Sequence, residues 1–230
     1  AASDVYKRQA AEALSATWLS RPDSVTAYYK RLRDRFEPRK ALWVTEMADA
    51  ACGGNPWAST FLDTFRYLDQ HAALAQQGVR VVAHNTLAAS DYGLLDESTL
   101  EPRPNYWAAL LWNKFMGPRV LKPPTKPDEG LRLYAHCMKG VPGGVTMLAI
   151  NTNRNEAKSL RMATASERYT MTAAALEGTA VRLNGKELQL GPGDSLPDLS
   201  GTSAAAGSIT LPPLSISFLA APDAQNASCR

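Results

Sequence analysis

The side chains with the clearest chemical potential lie between residues 46 and 92. Glu46 closes the apolar run ALWVTE (41–46). A carboxylate at the end of so apolar a segment is costly to desolvate unless partners or a reaction use it. Catalysis would account for it, and so would an ion pair or a helix cap. The loop that follows contains CGGNP (52–56), whose glycines, lacking Cβ, let backbone N–H groups approach a ligand such as a carboxylate. A tight turn would need the same glycines. His84, Asn85, Asp91 and Tyr92 come in or just beyond a second apolar run, VRVVAHNTL (79–87). Together with Trp57, Tyr106 and Trp107 they offer the polar edges and flat rings on which sugars are held, although rings borne on helices serve equally as core.

Other chemistries are excluded by what is missing. GxSxG, a Walker A loop and GxGxxG do not occur, which argues against nucleophile-elbow hydrolases and nucleotide enzymes. The histidines (71, 84 and 136) and cysteines (52, 137 and 229) show no metal-ligand spacing, so neither a metal nor a cofactor is expected. His84 taken alone reads as a hydrogen-bonded structural histidine. Two of the three cysteines can pair, which would imply an oxidising compartment, or they can remain thiols.

The elements that must position these groups are readable from periodicity. Val25, Tyr28, Tyr29, Leu32 and Phe36 fall on one stripe of a helix over 22–36, with Ser20 and Pro22 as start signals. ALWVTE reads as a parallel strand buried on both faces, with Glu46 at its carboxyl end. Residues 59–77 repeat apolar groups at Phe61, Leu62, Phe65, Leu68 and Leu74, and Gly78 is placed to cap that helix. The strand 79–87 then lies one strand-helix unit further on and can pair in parallel with the first, opening both loops on one side. A helix over 105–116 stops at Gly117-Pro118. From about residue 120 a proline-rich linker, Lys122-Pro123-Pro124, gives way to strand signals at 131–138, 145–153, 167–174, 179–190 with an Asn184-Gly185 hairpin, and 215–221. That spacing predicts an all-β sandwich.

A hydrophobic content of 45% with 20% charged residues is that of an ordinary globular chain. No stretch reaches the roughly 18 apolar residues of a membrane helix. The net charge of +3 is far below what a nucleic-acid binder concentrates on one face. One basic run, Lys30, Arg31, Arg33, Arg35, Arg39 and Lys40, is either an anion-binding patch or a solvated helix face.

Taken in order, LWVTE, CGGNP, VRVVAHNTLAASDYGLLD and PRPNYWAALLWNKFMG resemble glycoside hydrolase family 79, the heparanases and related β-glucuronidases. The likeness continues through LRLYAHC, MLAINTN, AVRLNG and LPPLSISFLAA, and so covers nearly all of residues 20–230. The resemblance implies α/β plus all-β architecture: residues 1–119 as the last βα units of an incomplete (β/α)₈ TIM barrel, and residues 120–230 as a carboxyl-terminal β-sandwich. It further implies a retaining mechanism with Glu46 as nucleophile. The carboxylate of a glucuronic-acid glycan would be held by Gly53, Gly54 and Tyr92, with Asn85 facing the sugar. A family disulfide maps onto Cys137 and Cys229, and with it a secreted, periplasmic or extracellular location.

The chain departs from the family pattern at Ala51 and Cys52, where an aromatic residue and a further glycine are usual. No residue matches the family's acid/base glutamate, which lies on an earlier barrel strand. The expected consequence is a fragment, lacking the amino-terminal part of the barrel, that is inactive alone and has exposed strand edges. The first nine residues, AASDVYKRQ, fit neither the family pattern nor a helix stripe. Two other readings stand beside the β-glucuronidase: a non-catalytic carbohydrate-binding protein on the same architecture, and a related retaining hydrolase for a neutral sugar.

Overall fold

The structure is a computed structural model and describes residues 9–50, 54–123 and 129–230. Cys52, Gly53, Pro124 and most of the amino-terminal AASDVYKRQ lie outside the described residues. The chain divides into two compact units, one ending at Tyr106 and one running from Trp107 to Arg230.

In the first unit the order is α1 (Ala16–Leu19), α2 (Arg21–Phe36), β1 (Leu42–Met47), α3 (Phe61–Gln76) and β2 (Val79–His84), and α4 (Pro104–Phe115) begins there. Proline in its first turn, Asp23 near its start and Arg33 and Arg35 near its end suit α2 to the helix dipole. Its apolar stripe is nevertheless open: Val25, Tyr28, Tyr29 and Phe36 are each more than half exposed, and Thr26 is buried instead. Periodicity reports that a face is apolar, not what covers it. The basic run lies along this helix and just after it, with Asp34 bridging to Lys30 and Arg33, each at 2.7 Å.

β1 and β2 pair in parallel, Leu42 opposite Val79 and Val44 opposite Val82, as the strand-helix-strand reading requires. The expectation that β1 is buried on both faces does not hold. Among the described residues β1 pairs with β2 alone, and one face of the pair is open, with Trp43 59% and Val81 41% exposed. α3 is the buried element, sinking Phe61, Leu62, Phe65, Leu68, Ala72 and Leu74, each large apolar side chain contributing about 1.5–3 kcal/mol. Gly78, at φ +83°, ends it in the left-handed conformation that glycine adopts without strain.

The second unit is an antiparallel assembly. Its strands are β3 (Met116–Leu121), β4 (Leu131–Met138), β5 (Val145–Asn151), β6 (Lys158–Met162), β7 (Ser166–Thr172), β8 (Arg182–Leu183), β9 (Lys186–Glu187), β10 (Thr202–Ala204), β11 (Gly207–Leu211) and β12 (Ser215–Ala221). The main sheet runs β3-β4-β5-β12-β7-β8-β9, with β10 also on β7, and β6 pairs with β11 separately. Fully buried β12 lies between β5 and β7, Phe218 facing Leu148 on one side and Tyr169 on the other. On one face of the sheet Leu131, Leu133, Met147, Ala149 and Leu219 pack against Leu160, Met162, Ile209 and Leu211 of the β6–β11 pair. On the other, Phe115 of α4 meets Tyr169 at 4.3 Å and Phe218 at 6.2 Å.

Gly117-Pro118 does stop α4, but the chain passes directly into β3. That strand is at a sheet edge, where proline's missing N–H goes unneeded. Asn184 and Gly185 take φ of +50° and +85° in the expected hairpin turn. Cys137 on β4 and Cys229 form a disulfide, their Cα atoms 5.3 Å apart. Among the described residues no helix is long and apolar enough to cross a membrane.

Candidate functional site

Glu46 is the penultimate residue of β1, and Asn85 follows β2 immediately. Because the strands are parallel and in register at Met47 and His84, both side chains emerge at the same end. Asn85 Nδ2 donates to Glu46 Oε1 at 2.8 Å and lies 3.5 Å from the Tyr92 hydroxyl. A neutral donor on one carboxylate oxygen orients the group without adding a charge that would compete for its lone pairs. Glu46 is exposed, so the other oxygen is open to an incoming ligand.

The loop after β1 comes back to the same place. Gly54, at φ +79°, lies so close to the Tyr92 ring that a Cβ there would come within 3.1 Å of Cδ1, and within 2.8 Å of Asp49 Oδ1. Only glycine fits on both counts. Ser59 Oγ then donates to the Gly93 carbonyl at 3.0 Å, linking the loops after β1 and β2. Glu46, Gly54, Asn85 and Tyr92 are therefore brought together as the sequence pattern indicates.

Tyr92 is held from behind. His84 Nε2 donates to its carbonyl at 2.9 Å, and the imidazole stands edge-on to Tyr67 with ring centroids 5.2 Å apart. Burial holds His84 below its ordinary pKa, which favours the neutral imidazole that donates to this carbonyl. Arg103 donates to the Ser90 and Asp91 carbonyls and pairs with Asp96 at 3.0 Å, closing the loop that carries Tyr92. Backbone N–H groups of Thr99 and Ser98 together with Arg103 hold the Asp96 carboxyl well below the usual range. Asp91 itself is exposed. Trp57 and Trp107 are each only 2% exposed, so as sugar-stacking candidates both are corrected to core, Trp57 lying against Trp18 at 5.7 Å.

Beneath the site is a buried polar cluster that pattern reading passes over. Arg66, 1% exposed, donates to both oxygens of fully buried Asp63 at 2.6 and 2.9 Å and to Gln70 at 2.9 Å. Asn105, in the first turn of α4, adds a bond to Asp63 at 2.7 Å. Asp49, 8% exposed, accepts from Asn55 N at 2.8 Å and from Asn55 Nδ2 at 3.0 Å. Burial first, then the Asp63 charge, push the Asp49 carboxyl up, and Arg66 with the Asn55 bonds works in the opposite direction. One signal was present in sequence: Asp63, Arg66 and Gln70 recur at helical spacing within α3, a spacing that lets buried polar groups satisfy one another.

No family model matches the chain. It is 34% identical over 210 residues to heparanase from Mus musculus, covering 84% of this chain and 39% of that protein. It is 30% identical over 179 residues to baicalin-β-D-glucuronidase from Scutellaria baicalensis, covering 74% and 34%. Inactive heparanase-2 from Homo sapiens is 27% identical over 226 residues, covering 87% and 38%. The chain thus spans less than half the length of these relatives. Among solved structures, a 4-O-α-L-rhamnosyl-β-D-glucuronidase from Fusarium oxysporum superposes with a TM-score of 0.65 at 14% identity, covering 92% of this chain and 50% of that one. A GH51 arabinofuranosidase from Xanthomonas axonopodis gives 0.62 at 14% identity, over 94% and 48%. The fold is accordingly that of glycoside hydrolases, and by sequence the chain is similar over most of its length to heparanases and β-glucuronidases.

Proposed function

We propose that the complete protein is a retaining glycosidase for β-linked glucuronic acid in a glycan, with Glu46 as its nucleophile. In this reading β1–α3–β2 and α4 are the last βα units of a (β/α)₈ barrel and the sheet from β3 onward is the following β-sandwich domain. The remaining strands and the acid/base carboxyl come from residues outside these 230. The observation that carries the proposal is the 2.8 Å bond from Asn85 to Glu46 at the carboxyl ends of two parallel strands, the end at which barrel enzymes place their chemistry.

The free oxygen of Glu46 attacks the anomeric carbon while a second carboxyl group, roughly 5–5.5 Å away, protonates the departing glycosidic oxygen; that group, now a carboxylate, takes a proton from water as the water attacks the anomeric carbon, breaking the ester bond to Glu46 and freeing the sugar. Asn85 keeps the nucleophile aimed and lies beside the bound sugar. The loop containing Gly53 and Gly54, with the Tyr92 hydroxyl, receives the uronate carboxylate, since backbone N–H donors and a phenol suit an anion. The disulfide favours a secreted or extracellular setting.

The test is covalent labelling of the full-length protein with a mechanism-based glucuronide inactivator, followed by peptide mapping. An adduct on Glu46, with glucuronides turned over in preference to neutral glycosides, supports the proposal. An adduct elsewhere, or preference for a neutral sugar, overturns it. A second reading, a carbohydrate-binding protein without catalysis, is favoured by the similarity to inactive heparanase-2; saturable glucuronide binding with neither turnover nor adduct would establish it.

A further inference from the structure

Asp49 has no part in the chemistry above, yet it is the side chain on which the loop after β1 is built. Both Asn55 donors converge on Oδ2, the backbone N–H at 2.8 Å and Nδ2 at 3.0 Å. Oδ1 is buried and makes no hydrogen bond among the described residues, lying 2.8 Å from the point where a Gly54 Cβ would stand. Gly54 in turn abuts the Tyr92 ring. One carboxylate thereby sets the distance between the glycine backbone and the tyrosine. From α3 beneath, the charges of Asp63 and Arg66 both bear on Asp49, in opposite directions, so the carboxyl that accepts the two Asn55 bonds is tied to the buried cluster as well as to the loop.

We propose that Asp49 is a positioning residue for substrate charge: through Asn55 and Gly54 it holds the rim that grips the uronate carboxylate, and it governs affinity for that group rather than the bond-breaking step. This rests on the reading of the Gly54–Tyr92 rim as the uronate site. A carboxylate clamp displaced by a fraction of an ångström to one ångström weakens binding and leaves the distant anomeric carbon near Glu46 in place.

The experiment compares wild type with Asp49→Ala, Asp49→Asn and Asn55→Ala in the full-length protein, using 4-nitrophenyl β-D-glucuronide. Asp49→Ala and Asn55→Ala should each raise KM about tenfold or more with kcat changed less than about threefold, the scale of a positional rather than chemical defect. Asp49→Asn, which keeps an oxygen to accept both bonds, should recover most of the loss. Unchanged KM, or equal loss in kcat, would overturn the proposal. Amide hydrogen exchange on the same variants reads the loop independently of turnover. The Asn55 N–H should exchange at least about tenfold faster in Asp49→Ala while amides of α3 stay protected. Unaltered Asn55 exchange refutes the clamp even if wild type proves inactive, whereas an inactive wild type with faster exchange refutes the functional reading alone.

Discussion

At the scale of single residues, Glu46 and Asn85 have separable duties and should fail differently. Glu46→Gln keeps the shape and the Asn85 contact but removes the nucleophile, so kcat of the full-length enzyme should fall by about a thousandfold or more, equivalent to roughly 4 kcal/mol of barrier. Substantial activity in that variant would remove Glu46 from the mechanism. Asn85→Ala leaves the carboxylate free to rotate, and about a tenfold to hundredfold fall in kcat is expected, measured beside an unchanged melting temperature. Gly54→Ala is the strictest test of loop geometry: its Cβ would meet Asp49 Oδ1 at 2.8 Å and Ala58 Cβ at 2.9 Å, at a φ of +79°. Binding of glucuronides should be lost while neutral glycosides, if turned over, are affected less. Glu46 and Asn85 were legible in sequence as neighbours at one end, because each is a polar group at or beside the end of an apolar strand. Ser59, Asn55 and Arg103 were not, since their value comes from closing loops: Ser59 reaches Gly93, 34 residues on, and nothing local announces such a partner.

At the scale of elements, α3 couples stability to the site. Removing Arg66 would leave Asp63 buried with its charge uncompensated, so Arg66→Met should destabilise the chain by about 3–5 kcal/mol in denaturant unfolding. A cost below about 1 kcal/mol would show that the pair is not structurally required. The same helix carries His71, whose Nδ1 donates to the Tyr67 carbonyl at 2.6 Å and whose pKa burial lowers to about 4. The folded state therefore refuses a proton that the unfolded chain accepts near its ordinary value of about 6.5. Stability should be level above that value and decline as pH falls from about 6.5 to about 4, by up to roughly 1.4 kcal/mol per pH unit. Replacing His71 with Asn should flatten this part of the profile; an unchanged slope would assign it to other groups. α3, β1 and β2 were readable because long or strongly apolar segments announce their period. The short strands β6, β10 and β11 were not, because three to five residues carry too little pattern, and they form by pairing with partners remote in sequence.

At the scale of the whole molecule, the disulfide ties β4 to a segment 92 residues further along. Closing so long a loop restricts the unfolded chain, and the Cys137→Ser, Cys229→Ser double variant should lose about 2–4 kcal/mol. The fold should survive, since Gly143 N–H still reaches the Cys229 carbonyl at 2.9 Å and Arg119 the Ser228 carbonyl at 2.8 Å. Equal unfolding midpoints with and without reductant would show that the bridge adds nothing. The overall plan, βα units followed by strands, was visible in composition, but the two compact units divide between Tyr106 and Trp107, ahead of the proline-rich stretch near residue 122. α4 tells dissection to begin earlier. Asn105 at its start serves Asp63, whereas Trp112 stacks edge-on against His136 at 5.3 Å and Phe115 covers Tyr169 and Phe218. Whoever expresses the antiparallel half by itself should open the reading frame upstream of Trp107. A gene piece starting at Val120 would discard most of an edge strand and the aromatic lid of the sheet, and its product should collect in inclusion bodies while the longer piece stays in the supernatant.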